Sequence, residues 1–385
     1  MARLSRRELL RRAAWSAGAA LTAAACAPPG GAPARPAPPQ PPTTDAAVVP
    51  DVPRTAGASP PATVRVGVGR ILAEAALYVA MERGYFQQEG IAVELVTGSS
   101  GVEGMQLLAS GQIDVALAGV TAALFNLVQR GVLIKLVAPA DTYYPDASTV
   151  FLMVRPDLLA RGEIRDYGDL AGHRVAVPVR GAFIHYLLAL ALRRAELDLD
   201  AVEVVELPFA DMNVALASGA VSAAIQTEPL ATLAVDQGIA AKWRAAGEIR
   251  PGLIGGWYFY SPDLLGRRRD VGERWMVAYL EGVREYDALL LRPGGREEIA
   301  ATLSRYTAVS DPNLYARMSL PTFSANGDVD LALLDEQRRW YVEQGSVPAS
   351  VDLSQAVDLG FAEQAARQPG HVPAGGAQDS GGRPP

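Results

Sequence analysis

Five short stretches of the chain carry side chains suited to holding a small molecule. Gly119-Val120-Thr121 offers backbone N–H groups and a hydroxyl at the start of an expected helix, which suits an acceptor-bearing or anionic group. Thr121 would serve equally well as a plain helix cap. Tyr143 and Tyr144 are adjacent phenols, able to stack on a flat ring and donate hydrogen bonds. Adjacent residues face different ways, so one of the pair is expected at a ligand and the other in hinge packing. Val179-Arg180-Gly181-Ala182-Phe183 brings a charge and a ring, with an exposed arginine and a lobe-core phenylalanine as the plainer alternatives. Phe209-Ala210-Asp211 and Gln226-Thr227-Glu228 add an aromatic and two carboxylates, and either acid could instead cap a following helix. Carboxylates beside aromatics favour an amine, an amidine-like ring edge or a cation. The set predicts a flat, nitrogen-bearing organic ligand, a pyrimidine-like heterocycle ahead of an aliphatic sulfonate or nitrate.

Turnover chemistry is poorly supplied. The single cysteine, Cys26, lies near the N-terminus, so disulfides and thiolate metal cages are excluded. The three histidines, His173, His185 and His371, are too scattered for a zinc site, and no metal or cofactor is expected. No nucleophile, base and orienting group stand together. Asp141, Asp211 and Glu228 would act as acid–base groups only if their surroundings split their pKa values. The net charge of −7 understates the acidity of the body, because arginines concentrate at the N-terminus; nucleic acid as a partner is excluded.

The elements that position these stretches repeat. Val66-Gly67-Val68 and Val175-Ala176-Val177, Tyr78 and Tyr186, Val93 and Val202, and Leu108-Ala109-Ser110-Gly111 and Leu216-Ala217-Ser218-Gly219 recur in one order at an offset of about 108 residues. Each copy alternates short apolar strands with helices, the pattern of a parallel sheet covered on both faces. The first copy reads as strands over 63–69, 91–96, 113–118 and 133–138, with helices over 73–83, 102–110 and 121–130. The second reads as strands over 174–177, 202–206 and 223–226, with helices over 183–195 and 212–218. The β-rich runs 149–154 and 257–260 are expected to cross between the copies and form a hinge. Helices over 271–291, 296–306, 331–344 and 355–366 should pack back on the first lobe. Lobe one is then 62–148 with 257–367, and lobe two is 149–256. In open parallel sheets ligands bind beyond the carboxyl ends of the strands, where all five stretches fall.

The N-terminus reads as an address. Ser5-Arg6-Arg7-Glu8-Leu9-Leu10, further arginines and an apolar run resemble a twin-arginine export signal. Ala23-Ala24-Ala25-Cys26 resembles a bacterial lipoprotein cleavage site, with Ala23 departing from the usual larger residue; Cys26 would be lipidated, residues 1–26 being the signal. Residues 27–61 are proline-rich, the composition of an extended tether, and 368–385 form a Gly/Pro-rich tail, both expected to be disordered.

Several stretches resemble a known family. They are Ala76-Leu77-Tyr78-Val79-Ala80 leading to Arg83-Gly84-Tyr85-Phe86 and Glu89-Gly90-Ile91, and Leu108 through Val115 running to Gly119. Asp169 through Val177 and Glu228-Pro229-Leu230 complete the set, which spans about residues 63–366. Together they resemble solute-binding proteins of bacterial ABC importers, in the branch taking nitrate, alkanesulfonates, taurine and thiamine-pyrimidine precursors. The resemblance implies an α/β, two-lobe periplasmic-binding-protein fold, type II-like, with two hinge crossovers and a ligand cleft. It implies a membrane-anchored, exported, monomeric protein serving an ABC permease and ATPase. Sulfonate and nitrate binders of this branch place a serine or threonine where Gly181 and Ala182 stand, so that hydroxyl is missing here. Two alternatives remain: an enzyme on the same fold acting on a pyrimidine or related metabolite, and a ligand-sensing module. The related eukaryotic pyrimidine synthase uses a cysteine-rich motif and a histidine, which this chain does not match.

Overall fold

Twelve strands organise the chain in the computed structural model, which describes residues 60–98 and 101–368. The export signal, Cys26, all but the end of the proline-rich stretch and all but the start of the tail lie outside the described residues. The first half contributes β1 (Ala62–Val68), β2 (Ile91–Thr97), β3 (Val115–Ala118), β4 (Lys135–Pro139) and β5 (Thr142–Tyr143). The second contributes β6 (Val150–Val154), β7 (Arg174–Val177), β8 (Glu203–Glu206), β9 (Ala223–Thr227), β10 (Ala241–Ala245), β11 (Leu253–Ile254) and β12 (Trp257–Tyr260).

The two five-stranded sheets have one plan. The first runs β2-β1-β3-β12-β4 and the second β8-β7-β9-β6-β10. In each, a central strand pairs in parallel with two neighbours: β1 with β2 and β3, β7 with β8 and β9. Even the register repeats, Val66 facing Val115 and Val175 facing Ala223. Neither sheet is wholly parallel, because β12 and β6 each insert antiparallel between two strands of their sheet. The reason is connectivity: each of these strands arrives from the other half of the chain rather than through a helical crossover. A two-stranded ladder not read from the sequence, β5 with β11, then ties the outgoing and returning segments together, Tyr143 facing Leu253.

The helices Ala75–Glu82, Arg269–Leu291, Gly295–Tyr306 and Gly360–Ala366 cover one face of the first sheet. Their core interleaves Val66, Val68 and Tyr260 with Leu77, Trp275, Leu303 and Phe361. Two expectations need correcting. The last helix starts at Gly360 rather than Gln355, since 353–355 is a separate short turn capped by Asp352. The helix Leu331–Glu343 does not pack on the first lobe alone. Gln337 Nε2 and Tyr341 Oη donate to the Val120 carbonyl beside β3, at 3.2 and 2.8 Å, while the Trp340 ring lies 5.3 Å from Tyr186 of the second half. Side chains about 100° apart on a helix let Trp340 and Tyr341 reach different neighbours. One apolar cluster accordingly joins Phe125 and Leu136 to Val175, Tyr186 and Ile225 across the two sheets.

Candidate functional site

The carboxyl ends of the first sheet meet the second half at Gly119. A Cβ there would stand 3.3 Å from Phe183 Cβ and 3.5 Å from the Gly255 carbonyl oxygen. Phe183 begins the helix Phe183–Arg193 after β7, and its ring lies 6.2 Å from that of Tyr143. Gly255 must be glycine, because a Cβ would fall 2.1 Å from Tyr143 Oη and 2.7 Å from Asp141 Oδ2. Gly119, Tyr143, Asp141 and Gly255 therefore form one floor, and Phe183 covers it from the other sheet.

Asp141 is the chemical centre of this floor. It is 2% exposed and its Oδ1 has no hydrogen-bond partner. Burial pushes its carboxyl up to about 6, against the pull of Tyr143, the Gly256 amide and Thr149. Thr149 precedes β6 and Gly256 precedes β12, so the carboxyl sits at the root of both crossovers. A second buried acid lies past the end of β1. Glu74 is fully buried and accepts from the Gly69 amide at 2.6 Å, the Ile71 amide at 3.0 Å and Tyr78 Oη at 2.5 Å. Desolvation raises its pKa, partly opposed by those donors. Tyr258 of β12 is buried as well: its ring packs 4.6 Å from Tyr279 and 5.3 Å from Trp275, and its Oη has no partner. Burial raises its phenol well above the usual value.

The remaining residues read from the sequence are engaged as follows. Thr121 holds the N-cap position of the helix Ala122–Gln129, but its hydroxyl makes no capping bond. Tyr144 is exposed. Arg180 is exposed, paired with Glu206 at 3.2 Å and donating to the Val204 carbonyl. Phe209 opens the helix Phe209–Ala217 and is half-buried; Asp211 lies inside its first turn, the cap being Pro208, so the capping role expected for Asp211 is not used. Gln226 is fully buried, donating to the Phe209 carbonyl at 2.9 Å and to Asn213 Oδ1 at 3.1 Å. Glu228 accepts from the Thr232 amide and hydroxyl at 3.1 and 3.0 Å, Lys242 Nζ at 2.5 Å and the Ser319 amide at 3.3 Å. The structure thus brings together Gly119, Tyr143 and Phe183. Gln226, Glu228 and Arg180 have their polar groups turned to protein partners.

Sequence reasoning passed over Glu74, reached Asp141 only as a possible acid–base group and placed Tyr258 only within the hinge run 257–260. The available signal was an acid in the apolar run Leu72–Met81, one helical turn before a tyrosine. His185 is a further buried polar residue; its Nδ1 accepts from the Gly181 amide at 3.0 Å, its Nε2 has no partner, and burial lowers its pKa. Among the described residues no three His, Cys, Asp or Glu side chains converge to hold a metal ion. No helix among them is long and apolar enough to cross a membrane.

The model of the NMT1-like family matches residues 57–303. No curated protein sequence matches the chain. Among solved structures, the chain is similar to the periplasmic aliphatic sulphonate binding protein SsuA from Escherichia coli, at 21% identity and TM-score 0.62, over 78% of this chain and 99% of that one. It is similar to the periplasmic nitrate-binding protein NrtA from Synechocystis PCC 6803, at 15% identity and TM-score 0.65, over 82% and 90%. The desulfurization enzyme DSZB aligns at 17% identity and TM-score 0.54, over 79% and 98%. These likenesses establish a periplasmic-binding-protein fold, on which binding proteins and at least one enzyme are built.

Proposed function

The chain belongs to the NMT1-like family, and from that premise we propose that it is an exported solute-binding protein that hands a small organic molecule to an ABC importer. The observation that carries this reading is the covered floor. Gly119 after β3 meets Phe183 after β7, and the floor beneath Phe183 includes Asp141, a buried carboxyl with an oxygen that has no protein partner. The segments at Thr149 and Gly256 act as hinge strands. Opening lifts Phe183 off the floor, the solute enters against Gly119, Asp141 and Tyr143, and closure removes water from around it. The aromatic rings and the Asp141 carboxyl on this floor favour a nitrogen-bearing heterocycle of the pyrimidine kind over a sulfonate or nitrate. Cys26 supplies a lipid anchor, and the protein works as a monomer.

Three experiments test the reading. Mass spectrometry of small molecules released by denaturing the purified protein should yield a heterocycle. A thermal-shift series with pyrimidines, ethanesulfonate and nitrate should show stabilisation by the first group, with no turnover of the compound bound. Turnover would favour the enzyme reading. Cys26→Ala should move the protein from membranes to the soluble fraction; retention at the membrane would end the anchor proposal.

A further inference from the structure

Phe183 covers the floor, and a histidine two residues further on holds the turn that delivers it. The helix Phe183–Arg193 starts at Ala182, which offers no side-chain cap. His185, in the first turn of that helix, answers in another way: its Nδ1 accepts from the Gly181 amide at 3.0 Å. Gly181 stands in the left-handed region at φ +73°, so this bond closes the bend between β7 and Phe183. His185 takes the place of the glutamate in a capping box, reaching back from the third helical position to an amide before the helix. The bond also fixes the tautomer. A ring nitrogen that accepts carries no proton, so the neutral imidazole bears its hydrogen on Nε2. Nε2 is buried without a partner, and the ring stands at 75° to that of Trp340, centroids 5.6 Å apart.

Proton uptake undoes this arrangement. A hydrogen on Nδ1 would face the Gly181 N–H, donor against donor. The new charge would also be buried in the first turn of a helix, whose amide end is already positive. Burial lowers the pKa of His185; Arg180 adds to the fall and Glu206 opposes it. The charges around the ring have partners of their own. Arg180 pairs with Glu206 at 3.2 Å. On Leu331–Glu343, which brings Trp340 to the ring, Glu336 and Glu343 pair with Arg250 and Arg193 at 2.6 Å each. The phenols of Tyr143 and Tyr186 are raised by burial, and beyond Phe183 the floor carries Asp141.

Building on the solute-binding reading, we propose that His185 is a positioning residue for the cover: its neutral form holds the loop 179–182 and seats Phe183 on Gly119, and a proton at Nδ1 releases both. Acid is then a signal for solute release. With the loop released, the ring returns toward its ordinary 6.5, so the open form binds the proton more tightly than the covered form. The covered form is favoured above the open-form pKa. It loses ground as pH falls between the two pKa values, by up to about tenfold per pH unit, and loses no more below its own.

The test is magnetic resonance of the full chain carrying isotope-labelled histidine, titrated from about pH 8 to pH 5, with small-angle scattering at both ends of that range. The His185 signal is the one that disappears in His185→Asn. Asparagine keeps an acceptor near the place of Nδ1 and takes up no proton; His185→Leu removes the acceptor. The wild type should show the Nε2–H tautomer, titrate below 6.5 and expand over the same range. His185→Asn should stay compact throughout, and His185→Leu should be expanded at both ends. A merely structural histidine would leave the two variants alike. An Nδ1–H tautomer in the wild type overturns the proposal, as does a wild type that stays compact in acid. An expansion that survives in His185→Asn overturns it too, and its loss in Asp141→Asn would assign the effect to the floor carboxyl. After any of these results the solute-binding reading stands if the thermal-shift series finds a ligand. It falls if neither that series nor denaturation yields one.

Discussion

The two halves of the chain share a sheet plan and a buried tyrosine, yet treat their polar interiors in opposite ways. Tyr78 in the first half and Tyr186 in the second hold equivalent places in the repeat, and burial raises the pKa of both phenols. One helical turn earlier the halves diverge, with Glu74 in the first and Ala182 in the second. None of the groups bonded to Glu74 is basic. In the second half the charge near Tyr186 belongs to Glu336, which is answered by Arg250 at 2.6 Å. The same contrast recurs at the strand ends. Glu228 is paired with Lys242 and holds further donors, whereas Asp141 keeps an oxygen with no partner. The contrast is one of acids: Glu228 in the second half has a counter-charge, while Glu74 and Asp141 in the first are buried without one; His185 Nε2 is the second half's own buried atom without a partner.

That contrast is broken most severely at Lys242. Glu228 has no exposed side-chain surface, and Lys242 is the only cation paired with it among the described residues. Lys242→Met would leave a buried carboxylate without its counter-charge, at a cost of about 3–5 kcal/mol. Urea denaturation should show that loss. A cost below about 1 kcal/mol would mean that the second half is no better satisfied than the first, and the comparison would fail.

Asp141→Asn should act in the opposite direction and depend on pH. Burial raises the folded carboxyl to about 6, from its ordinary 3.8. The folded state therefore binds its proton more tightly than the unfolded chain does. Below the unfolded pKa both states are protonated and the group is neutral to stability; as pH rises toward 6 the wild type loses stability, and above it the penalty is constant. At pH 7 the substitution should stabilise the protein by about 2–3 kcal/mol, with the advantage fading toward pH 4. Tyr143, Tyr258 and Tyr279 are the titratable neighbours, and none of these phenols ionises in that range. A pH-independent difference between the two proteins would remove Asp141 as the titrating group.

Much of this was legible in the sequence and the part that was not has a common cause. The repeat foretold two sheets of one plan because strand alternation and the glycine-terminated helices are local signals. It also foretold that Gly119, Tyr143 and Phe183 lie at strand ends. It was silent on Glu74, since an acid in a helical run reads as a solvent face until other helices cover it. Here the covering comes from Arg269–Leu291 and Gly295–Tyr306, far along the chain. The dual allegiance of Leu331–Glu343 escaped for the same reason: period shows which residues are apolar, not which partner each one meets.

Gly255→Ala tests whether the floor is as tight as the geometry implies. The added methyl would lie 2.1 Å from Tyr143 Oη, so the phenol or the strand must move. Overpacking of this kind costs about 1–3 kcal/mol. The same movement would carry Tyr143 and Asp141 off the floor, so solute affinity should fall together with stability. A loss of stability with affinity intact would separate the floor from the site.

Tyr258→Phe has the smallest expected effect on stability and the sharpest meaning. Deleting a hydroxyl that bonds to protein usually costs about 0.5–1.5 kcal/mol, because its partner is left behind. Tyr258 Oη leaves no partner behind, and its ring keeps the packing against Tyr279 and Trp275. The change in unfolding free energy should therefore lie within about 0.5 kcal/mol of zero or be favourable. The matching experiment in the second half is Tyr186→Phe, where the phenol lies beside Glu336. That substitution removes a donor from a carboxylate and should cost about 1 kcal/mol. If the two halves differ as argued, the pair of phenylalanine variants separates in sign or size. If both lose stability alike, the Tyr258 hydroxyl has a partner in solution, and the two halves do not differ at these phenols.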